Sequence, residues 1–400
     1  MSGDLSKVKV TGPLVPYVGG FSTKLQGSGY QPGTVVKQVR LLAHVSRWLE
    51  VRNLVTCDLI AARVEEFLVE GRDATYAKRY STSTGLAPLL GYLRSISAIP
   101  LPIVVPTTPS DDLLFAFRTY LLNERGVAGE TAGNYVRVAR SFLDEYAIGT
   151  DVDLGDLARA DVLRFVAEQC RRHSPNRIAT GLRAFLRYCH VEGLTTGSLA
   201  DVIPTVANRR LSSLPQGLEP ERVRSLLESC DQSTAMGARN FAILTVLIRL
   251  GLRASEVANL ELDDINWRSA EIVVRGKGPR VDRLPLPVDV GEAIMHWLAH
   301  GRPRCEHPNV FIRLIAPLQP LTHMGVSGVV TSACHRAHIP EVRAHRLRRT
   351  AATTLLHAES NLREIGELLR HHNLQTTAIY AKTDDRTLLE VAQPWPGSAS

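Results

Sequence analysis

The sequence predicts a mainly α-helical protein, in which two similar helical bundles in tandem precede an α-rich domain with a small antiparallel β-sheet. Three observations carry that expectation. Four short patterns recur at a nearly constant offset in the first half of the chain. Apolar residues recur three or four apart through most of its length. Close to residue 277, a Gly-bounded turn separates two short β-rich runs.

The repeat is read from ordered matches. Phe21-Ser-Thr-Lys-Leu25 resembles Phe117-Arg-Thr-Tyr-Leu121, and Val39-Arg40 resembles Val136-Arg137. Leu59, Ala62, Val64 and Phe67 match Leu157, Ala160, Val162 and Phe165, and Thr84-Gly85-Leu86 with Leu89, Leu90 and Tyr92 match Thr180-Gly181-Leu182 with Phe185, Leu186 and Tyr188. The offsets are 96, 97, 98 and 96, so the register holds through small insertions. One such match is expected by chance; four in order point to a tandem duplication. Each copy carries helical rather than alternating periodicity and predicts a small helical bundle.

Two punctuated stretches separate the parts. Ile99–Ser110 has four prolines in twelve residues, which opposes helix and central strand alike, and Val206–Gly217 is small, polar and proline-bearing. The expected domains are therefore 1–105, 111–205 and 214–400. In the last, helices are expected at Glu219–Cys230, Ala238–Leu250, Ser255–Leu262, Val288–His300, Gly325–His338, His345–Ala358 and Leu362–Arg370. Glu271–Arg275 and Val281–Pro285 predict a hairpin with Gly276-Lys277-Gly278 at its tip.

Composition narrows the classes of function. No apolar run approaches the roughly 18 residues that read as a membrane span, and the first ten residues mix Asp4, Lys7 and Lys9 without a following apolar stretch, so a cytoplasmic protein with no membrane partner is expected. The six cysteines are scattered with no C-x-x-C pair, which suits reduced thiols. A net charge of +7 favours a polyanionic partner. That charge is uneven, with +5 over residues 1–110, −2 over 111–205 and +4 over 206–400. Only seven of the 47 basic residues are Lys, and Lys277 is the single one between Lys78 and Lys382.

Four segments of the last domain concentrate groups able to hold and cleave a phosphodiester. They are Gly251-Leu252-Arg253-Ala254-Ser255-Glu256; Gly276-Lys277-Gly278, with Lys277 24 residues after Arg253; His345-Arg346-Leu347-Arg348; and His371-His372-Asn373-Leu374-Gln375-Thr376-Thr377-Ala378-Ile379-Tyr380. The ordered set Arg253, Lys277, His345, Arg348, His371, Tyr380 resembles the tyrosine recombinases, the phage-integrase family, over roughly residues 111–390. The resemblance implies a SAM-like helical core-binding domain at 111–205, a second copy of it at 1–105 and a catalytic domain beyond. It implies double-stranded DNA as substrate, a homo-tetramer on paired sites, with or without a partner recombinase, and a 3′-phosphotyrosyl intermediate formed by Tyr380 without cofactor or metal. Two departures stand out: Arg349 occupies a place where the family usually has His, and Arg370 and His372 flank His371 where Gly and Ser are usual.

The chemistry agrees with the resemblance. A phosphodiester in a pentacoordinate transition state gathers charge on its non-bridging oxygens, which guanidiniums such as Arg253 and Arg348 can bind with several fixed donors. Tyr380 would be the nucleophile, His345 would take or orient its proton, and His371 would donate to a phosphate oxygen. The leaving 5′-oxygen needs a proton that Arg cannot release and that Lys277, in a cationic site, can. Singly, each residue has an ordinary reading: a turn lysine, a helix-terminal cation, an exposed basic face, a packed tyrosine. The ordered set of six does not. A zinc site from His371-His372 with Cys334, His335 and His338 fits no tetrahedral spacing. Two alternatives stay open, a non-catalytic DNA-binding relative of the fold and a monomeric type IB topoisomerase-like enzyme. The apolar segment Leu388-Leu389-x-Val391 beyond Tyr380, which could dock on a neighbouring subunit, favours the recombinase.

Overall fold

The computed structural model describes residues 8–71, 82–101, 108–146, 153–205, 217–276, 281–358 and 360–370. These fall into two compact units, one from the described parts of Met1–Leu101 and Leu211–Ser400, the other from those of Pro102–Arg210. The described residues are mainly helical with one small antiparallel sheet, as the sequence predicts.

The first bundle consists of α1 (Val18–Gly27), α2 (Pro32–Val51), α3 (Ala61–Gly71) and α4 (Ser83–Ser95), around Phe21, Leu25, Val39, Leu42, Leu59, Phe67, Leu89 and Leu93. The second consists of α5 (Pro109–Asn123), α6 (Gly129–Tyr146), α7 (Arg159–Arg172) and α8 (Pro175–Val191), around Phe117, Leu121, Phe142, Phe165, Leu182, Phe185 and Leu186. Two features of the bundles are alike. Phe21 meets Tyr92 at 5.5 Å between ring centroids and 36° between planes, while Phe117 meets Tyr188 at 5.3 Å and 39°. Both last helices end in a left-handed residue that turns the chain back. Ser97 (φ 55°) lets Ala98 N donate to Leu93 O at 2.9 Å, and Gly193 (φ 72°) lets Leu194 N donate to Cys189 O at 2.8 Å. The proline-rich stretch ends sooner than its composition suggests. Pro109 occupies the first turn of α5, where its missing N–H costs nothing, and the Thr108 hydroxyl caps it by accepting from Asp111 N.

The third segment is organised around α10 (Ala235–Arg249), buried at nearly every position from Gly237 to Ile248. A helix this nearly apolar must be enclosed, and α12 (Val288–His300), α13 (His323–Arg336) and α14 (Ala344–His357) pack on it. Trp297 of α12 is fully buried and donates its indole N–H to Val310 O at 2.9 Å, so its large apolar body enters the core without an orphaned donor. Helices α9 (Pro220–Glu228), α11 (Ala254–Ala258) and α15 (Leu362–Leu369) complete the segment. Burial pushes the Cys189 thiol of the second bundle up to about 12, so it packs as a neutral, apolar group.

The sheet has the order β1 (Ile265–Asn266), β2 (Glu271–Arg275), β3 (Val281–Pro285), all antiparallel. Val273 pairs with Arg283, and Ile272 with Leu284, which places Ile272, Val274 and Leu284 on the buried face. Strands β2 and β3 coincide with the two runs read from sequence. Strand β1 was not foreseen, since two residues carry no alternation. The helix expected at Ser255–Leu262 stops at Ala258, because the backbone beyond it is taken by another segment. Leu262 N donates to Pro308 O at 2.9 Å, and Leu260 O accepts from Val310 N at 2.8 Å. Among the described residues no helix is long and apolar enough to cross a membrane.

Candidate active site

Helix α10 ends at a left-handed Gly251 (φ 57°), which redirects the chain so that Arg253 becomes the N-cap of α11. A Cβ at Gly251 would lie 2.9 Å from Leu369 Cδ2 and 3.3 Å from Ala351 Cβ, so α14 and α15 close directly over this turn. Gly251→Ala is therefore expected to destabilise the chain by about 1–3 kcal/mol, from the left-handed backbone and the clash together. Thermal or denaturant unfolding checks this; unchanged stability would mean that the turn is loosely packed.

Arg253 is held from both ends by one carboxylate. Glu256 accepts from the Arg253 backbone N at 2.7 Å through Oε2 and from Nη1 at 2.6 Å through Oε1. The Glu256 side chain is 3% exposed and that of Arg253 44% exposed, so the guanidinium is anchored at its root and open at its face. The first bond also satisfies an N–H that the start of α11 would otherwise orphan.

Helix α14 supplies His345 and Arg348. His345 is exposed in the first turn, while Arg348, one turn on, is buried. Arg348 donates Nη1 to Gly251 O and Nη2 to Leu369 O, tying the turn after α10 to the end of α15. The structure thus gathers Arg253 and Arg348 about Gly251, with His345 on the same helix as Arg348. Arg348 is packed more deeply than a phosphate ligand on an open face. Lys277, His371 and Tyr380 lie outside the described residues; β2 and β3, which flank Lys277, are described, as is α15, which precedes His371.

Two residues of this cluster, Glu256 and Arg370, were not singled out from sequence as site residues. Arg370 has a left-handed backbone (φ 52°, ψ 48°) at the end of α15 and a side chain 5% exposed. Its Nη2 donates to Glu256 Oε2 at 2.6 Å, and its Nε lies 3.7 Å from Asp282 Oδ2 on β3. Burial above all lowers the pKa of this guanidinium; Glu256 opposes the shift and Arg253 adds to it. The available sequence signal was the Arg at a helix end where glycine is the usual residue. Among the described residues no group of three His, Cys, Asp or Glu side chains could hold a metal ion.

The fold and the Gly251–Glu256 and α14 segments define a class, the tyrosine recombinases, and residues 216–387 match the Phage integrase family. The chain belongs to that family. It is 37% identical over 97% of its length, and 96% of the relative's, to a Sinorhizobium fredii (strain NBRC 101917 / NGR234) protein named integrase/recombinase y4rA. It is 31% identical over 71% of its length to the tyrosine recombinase XerD of Mycobacterium tuberculosis (strain ATCC 25618 / H37Rv), 96% of which is covered. Two solved structures share the fold. One is the XerH site-specific recombinase bound to palindromic difH substrate (TM-score 0.56, 19% identity, 72% of this chain and 84% of that one). The other is the Tn1549 transposon integrase with a circular intermediate DNA (TM-score 0.53, 15% identity, 70% and 99%).

Proposed function

We propose that the chain binds double-stranded DNA and cuts and rejoins its strands at specific sites through a 3′-phosphotyrosyl intermediate, in the service of a mobile genetic element. The observation that carries this reading is the union of Arg253 and Arg348 about Gly251, with His345 a turn away, inside a chain that retains Lys277, His371 and Tyr380 in family order. The phenolic oxygen of Tyr380 attacks the scissile phosphorus and its proton passes to His345. The bond to the 5′-oxygen breaks, and Lys277 protonates that oxygen as it leaves. Arg253 meets the developing charge on the non-bridging oxygens, and His371 donates to one of them. Arg348 shares that charge by exchanging a carbonyl for a phosphate oxygen. Guanidiniums placed in this way provide the charge stabilisation that a divalent cation supplies in other phosphoryl transfers, so no metal is needed. The reverse attack by a 5′-hydroxyl rejoins the strand. Incubated with a nicked duplex bearing the sequence that flanks its gene, the chain should accumulate a protein–DNA adduct that survives denaturation. Cleaved DNA released without an adduct would contradict the reading.

The proposal extends to the domains 1–105, 111–205 and 214–400. Their matched ring pairs and helix ends support a duplicated core-binding module. The first copy serves as a further DNA-contacting module. Along the solvent face of α2, Lys37, Arg40, His44 and Arg47 follow one another three or four residues apart, all exposed. The repeat offset of 97 aligns them with Asn134, Arg137, Ser141 and Asp144, a face with no net charge. Deleting residues 1–105 is expected to shorten the protected DNA and to flatten the slope of log affinity against log salt by about 0.9 per lost phosphate contact. On paired sites the full-length chain should sediment as a tetramer. An unchanged footprint and slope, with assembly lost, would assign the module to protein contacts.

A further inference from the structure

We infer that Arg370 is a positioning residue of the active site, which holds Glu256 so that Arg253 keeps an open face for the scissile phosphate. The inference rests on the proposed role of Arg253. Glu256 is a buried carboxylate and needs cationic partners. Its Oε2 is occupied by Arg370 Nη2 and the Arg253 backbone N, which leaves only Oε1 for the Arg253 side chain, and that oxygen takes Nη1 alone. The Arg253 side chain stays 44% exposed. Without Arg370, the carboxylate would have one cation to satisfy it, and the two-pronged geometry of Arg with carboxylate would draw Arg253 inward.

Three further features set Arg370 apart from an ordinary structural salt bridge. Its Nε and Nη1 are buried and have no hydrogen-bond acceptor among the described residues, while the carboxylates of Glu256 and Asp282 supply opposing charge. Its left-handed backbone disfavours any residue but glycine or asparagine, yet a bulky cation stands there. It also reaches Asp282, and so joins α15, the strand that follows Lys277 and the turn that carries Arg253.

The test is single-turnover cleavage by the full-length protein on two nicked duplexes, one with an ordinary scissile phosphate and one with a methylphosphonate in its place. Glycine suits φ 52°, so Arg370→Gly should fold and bind DNA like the parent. Its cleavage of the phosphate substrate should fall about 10²-fold, the scale of a displaced catalytic group. Two rescues should follow. Pairing Arg370→Gly with Glu256→Gln removes the demand for a second cation and should recover most of the rate. The methylphosphonate, which asks less charge compensation of Arg253, should narrow the gap to the parent. Parent-like cleavage by Arg370→Gly, or an equal loss on both substrates with no recovery in the double variant, overturns the inference. If melting shows that Arg370→Gly does not fold, Arg370→Lys carries the same comparison with the same two outcomes. A parent that cleaves while Arg370 proves dispensable defeats this inference alone; a parent that never forms the adduct defeats the recombinase reading beneath it.

Discussion

Replacing Lys277 with Ala is expected to slow strand cleavage by about 10²–10⁴-fold, the usual contribution of a general acid or base. The scissile bond cannot break cheaply unless the departing 5′-oxygen is protonated, because an alkoxide is a poor leaving group. The cluster is rich in cations, yet guanidinium holds its proton too tightly to give it up, whereas an ammonium among like charges is lowered toward the working range. Lys277 stands alone among arginines over some three hundred residues and belongs to the connection between β2 and β3. The diagnostic comparison is a duplex with sulfur at the 5′-bridging position, since a thiolate leaves without a proton. On that substrate Lys277→Ala should regain most of its lost rate. A loss of equal size on oxygen and sulfur substrates would move Lys277 to phosphate binding.

The legibility of the fold followed the strength of local patterning. Strands β2 and β3 were readable because two short β-rich runs, Glu271–Arg275 and Val281–Pro285, flank the glycine-bounded turn Gly276-Lys277-Gly278. Helix α10 was readable as buried because it is nearly apolar from Phe241 to Ile248. The early end of α11 was not, because it depends on Pro308 and Val310, about fifty residues away, which take the backbone groups that a longer helix would use. The site divides in the same way. Arg253, His345 and Arg348 were named from motif order, and their chemistry needs those residue types. That Arg348 is buried against two carbonyls, and that Glu256 joins Arg253 to Arg370, depends on how α11, α14 and α15 converge on Gly251. Spacing along the chain does not encode that convergence. Arg370 was visible only as a cation at a helix end that glycine usually occupies, which signals an exception without saying what it serves.

The largest effect is expected at Tyr380. A phenylalanine there keeps the ring but has no oxygen to attack phosphorus, so covalent chemistry should vanish while DNA binding persists. Its candidacy rests on position, nine residues beyond His371 in a segment that follows the family spacing. The most direct measurement is to trap the adduct on a nicked duplex, digest it with protease and sequence the peptide that retains the nucleotide. The account predicts a 3′-phosphate linked to Tyr380, and no adduct from Tyr380→Phe. An adduct on any other residue, or one that survives in the Phe variant, would contradict it.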